Sequence, residues 1–150
     1  MTRRVGFALI LGLAVAWPCG HDSEAGQRKV EGGMDNAITI TAGGTTFSAT
    51  LVDSPTTAAF KRLLPLSVRM SELNGNEKLF RLPSELPTNA SQPRSITIGD
   101  VMLYGSNTIV VFYKSFPTPY SYTRLGQIDD ARGLEAALGG GSVDVAFRSK

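Results

Sequence analysis

The most chemically suggestive stretch of this sequence runs from Phe112 to Arg124. Phe112, Tyr113, Phe116, Tyr120 and Tyr122 crowd together there with Lys114 and Arg124, and Tyr104 lies on the preceding strand-like segment. Pro117 and Pro119 stiffen the loop between them. Tyrosine offers a large contact area with a polar tip and loses little rotamer freedom on binding. With a guanidinium close by, such rings suit a cleft for a peptide, a carboxylate-bearing ligand or another ring. The candidate ligand-binding residues are therefore Tyr104, Phe112, Phe116, Tyr120, Tyr122 and Arg124, with Glu77 as a polar partner. In the competing reading Phe112 is core and the tyrosines only cover the mouth of the fold.

Other chemistries are narrowed by what is missing. The sole histidine, His21, and the sole cysteine, Cys19, both sit near the N-terminus. Beyond them, neither a Ser-His-Asp nor a Cys-His nucleophile can be assembled, nor a zinc site of His and Cys. His21, Asp22 and Glu24 lack a second cluster to complete a metal site, so they read as solvated linker. Two carboxylate pairs remain, Glu72 with Glu77 across a turn and Asp129 with Asp130. Either could serve as acid and base or hold a hard cation. Turn polarity for the first pair and a helix cap for the second are the preferred readings. Gly139-Gly140-Gly141 is followed by no Lys-Ser/Thr pair and closes a helix, so it is no phosphate loop. No catalytic residue, metal or cofactor is assigned.

The chain has 150 residues, 42% hydrophobic and 19% charged, which is the composition of one globular domain. Lys plus Arg is 15 against 13 for Asp plus Glu, and setting Arg3 and Arg4 aside leaves 13 against 13. A neutral body argues against a nucleic-acid partner, which excess positive charge would have to attract. With a single cysteine, no intramolecular disulfide supports the fold.

Arg3 and Arg4 open a short basic start, and Val5 to Trp17 carries no charge. As a helix that run would span about 20 Å, short of a bilayer core. The pattern predicts an export signal over residues 1–20, and hence a protein of the cell envelope, whether periplasmic, secreted or lipid-anchored. Cys19 follows the apolar run where a bacterial lipoprotein signal carries its lipidated cysteine, although Pro18 stands where Gly, Ala or Ser is usual. It is the candidate lipidation site, and membrane attachment would then run through the N-terminus. Ordinary cleavage nearby, an uncleaved anchor and a twin-arginine signal are the alternatives. Residues 21–35 are nearly free of large apolar side chains and read as a flexible tether.

The elements that must position the candidate residues come from residues 36–148. Ile38 and Ile40, then Phe47, Ala49 and Leu51, alternate on either side of Gly43-Gly44, predicting a hairpin. Ser54-Pro55 is a helix start, followed by Phe60, Leu63 and Leu64 at helical spacing before Pro65. Leu66 to Ser71 and Glu77 to Leu82 are strand-like around the turn Asn74-Gly75-Asn76. Pro83 to Ser95 must be a long irregular connection. Short strands follow at Ile96 to Ile98, Val101 to Tyr104 and Thr108 to Tyr113. The last is apolar on both faces and so reads as a central strand. Another strand at Leu125 to Ile128, a helix capped by Asp129 or Asp130 and running to Leu138, and a strand through Val143, Val145 and Phe147 complete the chain. About eight strands with two short helices predict a mainly β protein, a closed antiparallel barrel with the helices over its open ends.

Three stretches carry a family resemblance: Met70 to Lys78 (MSELNGNEK), Gly99 to Asn107 (GDVMLYGSN) and Tyr120 to Ile128 (YSYTRLGQI), supported by Pro55 to Pro65. In these the chain resembles the bacterial cyclophilin-like fold proteins over residues 36–148. The resemblance implies a cyclophilin-like barrel and no established activity. True cyclophilins are prolyl isomerases that use a strand arginine with pocket aromatics, a Trp and a His, and the body of this chain has neither His nor Trp. Phe80-Arg81-Leu82-Pro83 resembles the arginine segment but is one residue short before the proline, and a one-residue slip turns a strand side chain to the other face. Arg81 is therefore expected to face solvent. The expectation is an exported module that binds a peptide or small molecule without catalysis. The alternative is an envelope prolyl isomerase using Arg81 or Arg124, and a third reading is an adaptor docking through the tyrosine loop.

Overall fold

The computed structural model describes residues 35–150. The expected signal, Cys19 and all but the end of the tether lie outside the described residues. Within them, ten strands and two helices follow in the order β1 (Ala37–Ala42), β2 (Thr45–Leu51), α1 (Pro55–Lys61), β3 (Leu66–Leu73), β4 (Glu77–Arg81), β5 (Ser95–Ile96), β6 (Asp100–Tyr104), β7 (Thr108–Phe112), β8 (Phe116–Pro117), β9 (Thr123–Ile128), α2 (Leu134–Leu138) and β10 (Val143–Ser149).

Eight of the strands close a barrel in the order β1-β10-β3-β4-β7-β6-β9-β2, and β5 with β8 forms a separate two-stranded sheet. All the pairings are antiparallel. Alternation decides which side chains fill the barrel, because successive residues of a strand point to opposite faces. Ile38, Ile40, Phe47, Ala49, Leu51, Met70, Val101, Leu103, Ile109, Val111, Val145 and Phe147 all join one buried core. Closure brings β2 and β9 so near that a Cβ on Gly126 would overlap the Thr50 carbonyl oxygen and lie 2.8 Å from Leu51 Cα.

The helices contribute to the same core, as their spacing predicts. Phe60 of α1 meets Phe147 edge-on at 5.7 Å between ring centroids, and Leu134 and Leu138 of α2 are buried with them. Helix α1 begins as expected. Ser54 Oγ accepts from the Thr57 amide at 3.1 Å and Thr57 Oγ1 accepts from the Ser54 amide at 3.1 Å, with Pro55 in the first turn. That reciprocal pair satisfies donors that the first turn cannot satisfy internally.

Helix α2 corrects the expectation of an aspartate cap. Its N-cap is Gly133 at φ 81° with no side-chain cap hydrogen bond. Asp130 is drawn away by Arg132, accepting from its amide at 3.1 Å and from Nε at 2.9 Å. Asp129 accepts from Thr50 Oγ1 at 2.7 Å. A short turn thus intervenes between the aspartates and the helix.

Strand β7 is buried on both faces, but the reason is not a central place in an open sheet, since every barrel strand has two neighbours. Ile109 and Val111 point inward to the main core. Val110 and Phe112 point outward and, with Met102, Ile96 and Tyr122, form a second buried cluster on the barrel's outer wall. The β5–β8 sheet and the proline-rich connection cover that wall. The connection is held by paired hydrogen bonds of 3.0 Å between Ser91 and Tyr122 and by the Thr118 amide donating to the Arg94 carbonyl at 2.9 Å.

Candidate functional site

The outer cluster is incompletely roofed, and the gap is a pocket of about 280 Å³. Its floor is the outer face of three strands: Leu79 of β4, Thr108 and Val110 of β7, and Tyr104 at the end of β6. One wall is Phe116, Tyr120 and Tyr122 from the covering loop. The facing wall is the β3–β4 turn, with Leu73, Asn74, Asn76 and Glu77. Sequence chemistry shapes that turn. Asn74 at φ 54° and Gly75 at φ 65° take the left-handed conformation that Asn and Gly tolerate best. Two left-handed residues reverse the chain so that Leu73 and Glu77 become register partners on the outer face.

The aromatic wall is one continuous array. Tyr104 stands 6.3 Å from Tyr120 and 5.7 Å from Tyr122, Tyr122 meets Phe112 edge-on at 5.6 Å, and Phe112 lies 5.7 Å from Phe116, all between ring centroids. Edge-to-face and tilted pairs at these separations hold rings in fixed orientations. Phe112 is fully buried and supports the array from beneath. Tyr104 and Tyr120 are about half exposed at the rim, at 48% and 58%. Leu73 is the third large apolar side chain left exposed among the described residues, and it too borders this pocket.

The charge in the pocket comes from one side. Glu77 is 92% buried, since its exposure is only 8%, and among the described residues no side chain or amide donates to its carboxylate. Burial, reinforced by the negative Glu72 nearby, raises its pKa above the ordinary carboxylate value. Tyr122 is also shifted upward, chiefly by burial, against a hydrogen bond with Thr118 that pulls the other way. No Lys, Arg or His lines the pocket.

The structure thus brings together Tyr104, Phe116, Tyr120, Tyr122 and Glu77, with Phe112 underneath. It places Arg124 elsewhere. Arg124 extends over the outside of β9, donating to Asp100 at 3.3 Å and to Gln127 at 3.4 Å. Asp100 is buried and also accepts the Thr97 amide at 2.8 Å, so the guanidinium serves a structural carboxylate. Arg81 lies exposed at the end of β4, outside the pocket lining. Glu72 and Glu77 do not form a carboxylate pair, nor are they simple turn polarity. Glu72 turns inward to Lys78 and Tyr113, and Glu77 turns outward.

Sequence reasoning missed Leu73, Leu79, Val110 and Asn76 as pocket residues and Lys78 as an inward charge. A parity signal was available. Leu73, Glu77 and Leu79 share one face of a hairpin whose other face carries Met70 in the core and Phe80 packed against it, so two outward leucines beside a carboxylate were already written there. Among the described residues no group of three or more His, Cys, Asp or Glu gathers as a metal site.

These features define a small closed antiparallel barrel with an aromatic, singly acidic pocket on its outer wall. The profile of the cyclophilin-like family matches residues 40–148, and the chain belongs to that family. A hypothetical protein from Archaeoglobus fulgidus, solved in solution, is similar in fold. Its TM-score is 0.53 at 16% sequence identity, with 77% of this chain and 95% of that chain covered. No match was found among curated proteins.

Proposed function

We propose that this chain is an exported binding module whose ligand occupies the outer-wall pocket between the tyrosine loop and the β3–β4 turn, without catalysis. The observation that carries the reading is the convergence of Leu73, Tyr104 and Tyr120. These are the large apolar and aromatic side chains left exposed among the described residues, and all border one concavity. Leaving such groups in water forgoes roughly 25 cal/mol for each Å² that burial would gain, and a ligand recovers that free energy. Export rests on Arg3, Arg4 and the uncharged run from Val5 to Trp17, and it makes the cell envelope the place of action. A pocket without Lys, Arg or His offers no cationic donor to polarise a proline amide, which favours binding over isomerase chemistry.

The test uses a neutral apolar dye, Nile red, and the full-length chain. Saturable fluorescence enhancement is expected, weakened about tenfold or more in the Tyr104→Ser/Tyr120→Ser variant, whose substitutions lie at the exposed rim. Enhancement indifferent to those substitutions overturns the pocket assignment. A proline-peptide isomerisation assay should show no acceleration. Acceleration abolished by Arg81→Ala or Arg124→Ala would make the protein an isomerase instead.

A further inference from the structure

Resting on the pocket being a binding site, we infer that its ligand is a small organic ammonium ion, with the cationic nitrogen held by the Glu77 carboxylate and the faces of the surrounding tyrosines. The argument starts from what the pocket leaves unmet. Glu77 is more than nine-tenths buried and accepts no hydrogen bond among the described residues. Its oxygens are left to open onto the pocket, and a carboxylate so far removed from bulk water is costly unless a donor or a cation meets it. The Glu77 carboxylate is the unmet acceptor that opens onto the cavity, so what is wanting there is a donor or a positive charge.

The opposite wall fits the same ligand. Tyr104, Tyr120 and Tyr122 present ring surface around the cavity. The face of an aromatic ring is negative, so it attracts a cation while still accepting the apolar substituents around the nitrogen. A carboxylate facing several aromatic rings discriminates against anions by charge and against hydrated inorganic cations by its apolar walls. The nearest buried ammonium of the protein itself, Lys78, is not available to neutralise Glu77. It lies on the inward face of β4, bonded to Glu72, the Gly139 carbonyl and the Gly141 carbonyl.

The experiment compares choline with its uncharged isostere 3,3-dimethylbutan-1-ol. Each is titrated into the full-length chain, following the ring resonances of Tyr104, Tyr120 and Tyr122. Choline should bind about tenfold more tightly than the alcohol. Glu77→Gln keeps shape and removes charge, so it should bring that ratio close to one. A rim variant, Tyr120→Leu, should lower choline affinity by a larger factor than that of the alcohol. Equal binding of choline and the alcohol, or binding of neither while Nile red still enters, overturns the ammonium assignment and leaves the pocket as a site for neutral ligands. Failure of Nile red to depend on Tyr104 and Tyr120 overturns the site itself.

Discussion

Glu72 and Lys78 are register partners across the β3–β4 hairpin, and their side chains pair on the inner face of the wall whose outer face carries Glu77. Lys78 is fully buried. Its Nζ donates to Glu72, to the Gly139 carbonyl at 2.9 Å and to the Gly141 carbonyl at 2.6 Å, and lies 5.3 Å from the centroid of the Tyr113 ring. Tyr113 in turn donates to Glu72 at 2.7 Å. One ammonium therefore ties the hairpin to the glycine segment that ends α2, taking two of that segment's carbonyls as acceptors.

Lys78→Met should destabilise the protein by about 3 kcal/mol, because it strips the largely buried Glu72 of its partner and unties the hairpin from the glycine segment. Urea unfolding measures this. A loss below about 1 kcal/mol would mean that the pair behaves like an ordinary surface ion pair.

Glu77 acts in the opposite sense. Its folded-state pKa lies above the unfolded value, because of burial and then the charge of Glu72. The folded state consequently binds more protons in that window, and stability is lost as pH rises through the folded pKa. The groups around it are Glu72 on β3, Lys78 on its own strand, and Tyr113 and Tyr122 beyond β7. Glu77→Gln should therefore raise the melting temperature near neutral pH and have little effect well below the carboxylate range. A variant that melts lower at neutral pH would show that the carboxylate is already paired.

Tyr113 should titrate late. Burial, then its hydrogen bond to Glu72 and the charges of Glu72, Glu135 and Glu77, push its pKa up to about 12. A raised phenol pKa favours the folded state below the unfolded value of about 10, and that contribution disappears as pH climbs through the folded one. Ultraviolet titration should show one phenolate forming near the top of the range, absent in Tyr113→Phe. Tyrosines that all ionise together would contradict the buried contact with Glu72.

Gly126→Ala should cost about 2 kcal/mol or more, since the added methyl meets backbone of β2 that cannot move without opening the barrel. Gly140→Ala, with open space around its Cβ position, is the matched control. Equal stability of the two variants would contradict the tight seam between β2 and β9.

The barrel was legible in the sequence because it rests on local rules. Two-residue alternation marked Ile38, Ile40, Phe47, Ala49 and Leu51 as one face, glycine and asparagine marked the reversals, and Ser54-Pro55 marked a helix start. Those preferences act between near neighbours, so they survive being read one segment at a time. The capping of α2 was not legible, because Asp130 had two partners within reach and only the folded turn chose Arg132.

The candidate site divides along the same line. Composition determined that its tools would be aromatic rings with charged side chains, Arg124 foremost and Glu77 as polar partner, and that imidazole and thiol would be absent from the barrel. Which of those groups meet was decided by tertiary structure alone. Tyr104 and Tyr120 reach Glu77's pocket because β6, the covering loop and the β3–β4 turn converge across large sequence separations, whereas Arg124, close to Tyr122 in sequence, is turned to Asp100. Strand parity sends adjacent residues to opposite sides of a wall, and barrel closure then selects their neighbours, so separation along the chain says little about which charges share a pocket.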